Sequence, residues 1–246
     1  MACLANQSRS QYQEDLHLLP LLLASSGSGP RSFVELGALD GEHFSNTWLL
    51  EKCFGFGGLL IEANPANFQA LQLSRRTATK RHSAVCAQQE GGHIAINVAG
   101  GATGGQASLM SERFKRTWGH AKDAATIAVP CAPLSKLMAA AGLQGGADLL
   151  SLDVEGAEAA VLSSVDPAAF KVVLVEMDGQ VRAKDEEVHR LLTAAKLVHR
   201  VDLNLPNSRV YVRPDLAAPR GRQTDRQIFG RKEARTSDLR EQCYGG

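Results

Sequence analysis

Short aliphatic runs alternate along this chain with longer stretches in which apolar residues recur every three or four positions. The runs predict strands over 32–36, 58–62, 82–86, 148–153 and 172–176, and the longer stretches predict helices over 44–53, 66–75, 134–141, 157–162 and 186–196. Runs such as Leu149-Leu150-Ser151-Leu152 have no polar face, as expected of parallel strands covered on both sides by helices. The expected class is therefore α/β, a mostly parallel sheet of seven strands. Residues 197–203 and 208–212 can close it as an antiparallel C-terminal hairpin turning at 204–207. Asp166-Pro167 is a local helix start, with a capping acid followed by proline at the first helical position. Residues 1–30 read as a short helix over 13–24 and a Ser/Gly linker, 31–214 as the main domain, and 215–246 as a polar tail. Residues 91–105 hold six glycines and are expected to form a long loop or loose hairpin over the domain.

Composition narrows the function. Lys plus Arg number 27 against 26 for Asp plus Glu, so no basic field recruits nucleic acid. The apolar stretch from Leu18 to Ala24 contains Pro20 and is too short to span a bilayer. Five cysteines without a CxxC pair argue against a zinc knuckle and for reduced thiols in a cytoplasmic protein. Cys86 and Cys131 both close candidate strands; they are expected to be buried free thiols, with a bridge between them in an oxidising compartment as the alternative.

The chemistry gathers where strands end. Glu35-Leu-Gly37-Ala38-Leu-Asp40-Gly41 follows the first strand, in the position where open α/β sheets bind ligands. Its glycines lack the spacing that admits a dinucleotide pyrophosphate, which argues against a nicotinamide oxidoreductase, and its acids favour a cationic group over a phosphate. Glu62, followed by Ala63 and Asn64, ends the second strand, where a carboxylate can accept from the vicinal hydroxyls of a ribose. Together these loops favour a nucleoside that carries a sulfonium, S-adenosylmethionine. Asp153 and Glu155 end the fourth strand, and Glu176 and Asp178 the fifth. Four acids at neighbouring strand ends call for a cation or a retained proton.

These runs, with Ser45-Asn46-Thr47, Leu152-Asp153-Val-Glu155-Gly156-Ala-Glu158 and the lead-in Ser10-Gln11-Tyr12, resemble the FkbM-type methyltransferase domain over about residues 10–213. The run from Asp40 to Thr47 and that from Val129 to Leu134 look most like its Star-like branch. The resemblance implies a Rossmann-like class I methyltransferase fold with S-adenosyl-L-methionine as cofactor and a hydroxyl as acceptor, on a small molecule or glycan. Glu35, Gly37, Ala38, Asp40, Gly41, Asn46, Glu62, Ala63, Asn64 and Asp153 are then the candidate cofactor contacts. Asp153, Glu155 and Glu176 are the candidate catalytic acids. The pattern requires no metal; were a divalent ion to take part, Asp153, Glu176 and Asp178 would be its oxygen ligands. The Star-like branch also implies a second reading, a non-catalytic interaction or trafficking domain associated with the secretory pathway.

Overall fold

A computed structural model describes residues 6–24, 30–87, 92–98, 104–106, 108–109, 126–177, 179, 181–203 and 205–217. The expected connector at 25–29, Asp178, most of the glycine-rich loop and the tail beyond 217 lie outside the described residues.

The aliphatic runs become strands β1 (Ser32–Leu36), β2 (Gly57–Glu62), β3 (Thr79–His82), β7 (Ala147–Leu152), β8 (Phe170–Glu176), β9 (Val198–His199) and β10 (Ser208–Val212). They form one seven-stranded sheet in the order β3-β2-β1-β7-β8-β10-β9. All neighbours are parallel except at β10, which runs antiparallel to both β8 and β9. Period-two alternation splits the core between the two faces. Val34, Leu36, Leu150, Leu152, Val173 and Val175 pack beneath α4 (Leu134–Ala140), α5 (Glu158–Leu162) and α6 (Arg182–Ala194). Phe33, Leu60, Leu149, Val172 and Leu174 pack against α1 (Glu14–Ala24), α2 (Trp48–Phe54) and α3 (Pro65–Leu73). Helix α1 is part of that second layer: Leu18, Leu19, Leu21 and Leu22 are all buried in it. Among the described residues no helix is long and apolar enough to cross a membrane.

A second, three-stranded sheet departs from the sequence reading. The run 82–86 divides, ending β3 at His82 and giving the two-residue β4 (Ala84–Val85) to a sheet with β5 (Gly92–Asn97) and β6 (Thr126–Ala132). The glycines flanking β5 and Pro130 within β6 weaken the strand signal of both runs, since proline cannot donate to a ladder. Pro130 is tolerated because β4 pairs only with Cys131 and Ala132 beyond it. The helix expected over 44–53 begins only at Trp48, because side chains hold residues 42–47 in a loop, as described below. The cysteine expectation is overturned as well. Cys86 and Cys131 are bridged, joining the ends of β4 and β6, and Cys53 is also disulfide-bonded.

Candidate functional site

The chain runs from β1 outward to β3, then returns to place β7 on the other side of β1. The carboxyl ends of β1 and β7 therefore flank the point where strand order reverses, and the loops leaving them open a crevice. Gly37 makes that crossing fit. Its φ is +76°, and a Cβ there would collide with the carbonyl oxygen of Asp153 on the neighbouring loop. The Gly37 and Ala38 N–H groups both donate to the Ile61 carbonyl, at 3.1 and 3.2 Å, which binds the β1 loop to the end of β2. Glu62 completes the join: it accepts from Leu39 N–H at 2.8 Å and Asn64 N–H at 2.7 Å, with the Asn67 side chain and Ala63 N–H also reaching it. Burial pushes its carboxyl up to about 7 despite those donors.

The acid at the end of β1 does something the sequence did not announce. Glu35 is buried and accepts from Ser45 Oγ at 2.9 Å, Asn46 N–H at 2.7 Å and Thr47 Oγ1 at 2.5 Å. Arg76, with a fully buried side chain, lies 3.8 Å from it and forks onto the same loop. Its guanidinium donates to Glu51 at 2.9 Å, the Gly41 carbonyl at 2.7 Å, Ser45 Oγ at 3.0 Å and Thr47 Oγ1 at 2.7 Å. Burial alone would raise the Glu51 carboxyl, but the Thr77 N–H and Arg76 outweigh it and hold it low. Glu35 thus anchors the loop that presents Asn46. Asn46 donates from Nδ2 to Ser151 Oγ at 3.0 Å, whereas its buried Oδ1 has no partner.

These loops enclose a cavity of about 630 Å³. Of the expected cofactor contacts, Glu35, Gly37, Asn46, Glu62, Ala63, Asn64 and Asp153 line it, as do the candidate catalytic acids Asp153, Glu155 and Glu176. Ala38, Asp40 and Gly41 do not. Asp40 faces its own turn, accepting from the Glu42 and His43 N–H groups and pairing with the His43 ring at 2.5 Å. Gly41 has φ of +84° and its Cβ position is blocked by Leu71, so its role is the turn itself. Sequence reading missed Gln11, Tyr12, Phe44, Asn67, Ser151 and Asn207, which also line the cavity. One local signal existed for Asn207, a turn-type residue at φ +57°. Backbone strain marks the same place. Of the six described non-glycine residues at positive φ, Leu39, Phe44, Glu155 and Asn207 line the cavity, and Gln13 adjoins Tyr12.

The floor of the cavity is acidic. Asp153, Glu155 and Glu176 each offer an oxygen within 4.8 Å of the others. Burial, then the charges of Asp153 and Glu155, push the Glu176 carboxyl up to about 11, so it keeps its proton at neutral pH. Glu158 is buried just behind, where it caps the turn by accepting from Val154 N–H at 3.3 Å and Gly156 N–H at 2.9 Å. The arrangement can hold a positively charged group or take up a proton. Asp153, Glu155 and Glu176 have the oxygen donors that a hard divalent cation would accept. Asp178, the third expected ligand, lies outside the described residues.

No curated protein matches this chain. The solved structure of methyltransferase FkbM from Methylobacillus flagellatus KT is similar, at 15% identity and a TM-score of 0.46. The likeness covers 83% of this chain and 56% of that one, so this chain spans little more than half of that protein's length. The family described as methyltransferase FkbM domain matches residues 35–201, which begin at Glu35 and take in every strand end that lines the cavity. The chain belongs to the FkbM methyltransferase domain family.

Proposed function

We propose that this protein is an S-adenosylmethionine-dependent methyltransferase acting on a hydroxyl group of a small molecule or glycan. The observation that carries this reading is the convergence of four acid-bearing strand ends on one cavity whose volume suits a nucleoside-sized ligand. The residues fit that cofactor. Glu62, with Asn67 beside it, would accept from ribose hydroxyls. The unpartnered Asn46 Oδ1 would accept from the amino group, and the cavity's carboxylates suit a cationic sulfonium. When bound, the cofactor supplies a methyl group on positively charged sulfur. The chain's own task is to position the acceptor and remove its proton. Asp153 or Glu155 takes up that proton, and Glu176, already protonated, donates a hydrogen bond beside it and holds the pair in place. A divalent ion at these acids would serve the same end by lowering the hydroxyl's pKa.

Titration calorimetry with S-adenosylhomocysteine tests the cofactor half. Binding is expected, and Glu62→Gln weakens it by about ten- to a hundredfold, the cost of one hydrogen bond to a charged group. No heat at millimolar ligand would sink the reading. With a labelled methyl donor and acceptor pools, Asp153→Asn should lower transfer by about 10²–10⁴ if Asp153 is the base. A loss smaller than about threefold in both Asp153→Asn and Glu155→Gln would remove the base assignment.

A further inference from the structure

The family match begins at Glu35, yet the cavity is lined in part by residues ahead of it. The segment before α1 is fastened to the loop that Glu35 and Arg76 hold. Gln7 accepts from Trp48 Nε1 at 3.0 Å, Arg9 donates to Glu42 at 2.9 Å, and Ser10 Oγ donates to the Ser45 carbonyl at 3.4 Å. That fastening delivers Gln11 and Tyr12 to the main cavity. Tyr12 and Glu14 also line a smaller recess of about 30 Å³ that shares Asn46, Asp153 and Glu176 with it. Phe44, on the fastened loop, lines both spaces and leaves half of its surface exposed. Two aromatic side chains at the mouth of a cavity are costly in water, and they suit a ligand that covers them.

The charge of that ligand follows from the walls. Among the described residues lining either space there is no Lys, Arg or His, whereas Glu14, Asp153, Glu155 and Glu176 all reach it. Among these described side chains an anion would meet no positive charge, and the ionised Asp153 and Glu155 would repel it. The cofactor's sulfonium can compensate only part of this charge, and a neutral alcohol would add no cation to the rest. An ammonium group would be held by carboxylate oxygens on one side and by the faces of aromatic rings on the other, the two surfaces that attract such a cation.

Building on the methyltransferase reading, we propose that the segment ahead of the family domain forms the acceptor half of the site. It selects acceptors that carry a protonated amine beside the hydroxyl, the ammonium seated between Tyr12, Phe44 and the Asp153–Glu176 acids. Tyr12 and Phe44 are then specificity-determining residues.

Three matched hexoses read the charge preference: glucosamine, glucose and glucuronate, each titrated into the full chain by ligand-observed NMR, in EDTA, with and without S-adenosylhomocysteine. Glucosamine is expected to bind about tenfold more tightly than glucose, the worth of one cation–aromatic contact with one charge-assisted hydrogen bond, and glucuronate more weakly than either. Tyr12→Ala and Phe44→Ala should each erase most of that ratio, while Tyr12→Phe keeps it. Tyr12 is 38% exposed, so its truncation leaves the core intact, and an unchanged melting curve verifies this. Equal affinities for the three sugars, no detectable binding of any, or a ratio untouched by Tyr12→Ala would overturn the proposal. Magnesium alone is the control for a metal. If it displaces glucosamine equally in wild type and Tyr12→Ala, and the sugars show no ratio, the acids serve a metal and the proposal falls. Because the sugars are also titrated without S-adenosylhomocysteine, a failure of cofactor binding is read separately from a failure of amine selection.

Discussion

Glu176 keeps its proton because burial, with Asp153 and Glu155 beside it, makes its ionised form unfavourable up to a pH of about 11, against 4.5 for an ordinary glutamate. The unfolded chain releases that proton near 4.5, the folded one does not, so the stability this group contributes is complete below 4.5 and declines as pH rises. Glu62, raised to about 7, and Asp15, raised to about 6 by burial, act in the same sense over narrower windows. Between pH 8 and 9 the other two are spent, and Glu176 adds a slope of up to about 1.4 kcal/mol per pH unit. Thermal unfolding across that interval should show the melting temperature falling less steeply with pH in Glu176→Gln than in the wild type. Parallel slopes in the two proteins would mean that Glu176 ionises normally. The sequence did place Asp153, Glu155 and Glu176 together, because each ends an aliphatic run and neighbouring parallel strands end at one edge. It could not reveal which of them holds a proton, since that depends on how closely the three carboxylates meet and how far each is buried.

At the level of elements, what was legible and what was not divides along physical lines. Strands β1, β2, β7 and β8 were readable because strands covered on both faces are mostly aliphatic and show no polar face. The short helix before β1 was readable too, and its leucines lie in the main core. The loop over residues 41–47 was not. Its conformation is set by Arg76, a residue that arrives from beyond α3 and has no local signature, and Glu35 appeared from sequence to be a ligand contact. The guanidinium's three acceptors on the loop are the Gly41 carbonyl, Ser45 Oγ and Thr47 Oγ1, which no periodicity relates. Removing the guanidinium leaves Glu35 buried without its cation and Glu51 with only Lys52, 3.5 Å away. Arg76→Met should therefore cost about 3–5 kcal/mol in chemical denaturation. Arg76→Lys restores the charge but not the fork and should recover only part. A loss below about 1 kcal/mol in Arg76→Met would show that the loop holds its shape without the arginine.

At the scale of the whole molecule, the described residues form two sheets that share a cavity. The seven-stranded sheet supplies the acid-bearing strand ends, and the small sheet supplies an opposite apolar wall through Ala84, Val85, Ile94 and Ile96. Only Ser83 separates β3 from β4 along the chain, with its N–H donating to the Glu62 carbonyl at 3.2 Å and its hydroxyl to Ala84 and Pro130 carbonyls. The core of the small sheet is slight, formed by Ala84, Ile96, Val129 and Cys131, and β4 contributes only two residues to the pairing. A cross-link therefore matters more here than in the large sheet. The Cys86–Cys131 bridge closes a loop with a sequence separation of 45 residues, which corresponds to about 4 kcal/mol in the chain-entropy picture. With Cys53 also bridged, reduction acts on more than one bond, so a variant isolates this one. Peptide mapping of the alkylated, unreduced protein should recover a linked pair containing Cys86 and Cys131. Cys86→Ala/Cys131→Ala should unfold at lower denaturant than wild type by about 2–4 kcal/mol and bind S-adenosylhomocysteine more weakly, because Ala84 and Val85 lose the tether that holds them against the cavity. Two free thiols at these positions, in protein never exposed to reductant, would remove the bridge and restore the reduced-thiol expectation. A bridge found together with unchanged ligand affinity would confine its role to stability, leaving β4 held against the cavity by Ser83 and the β6 pairing alone.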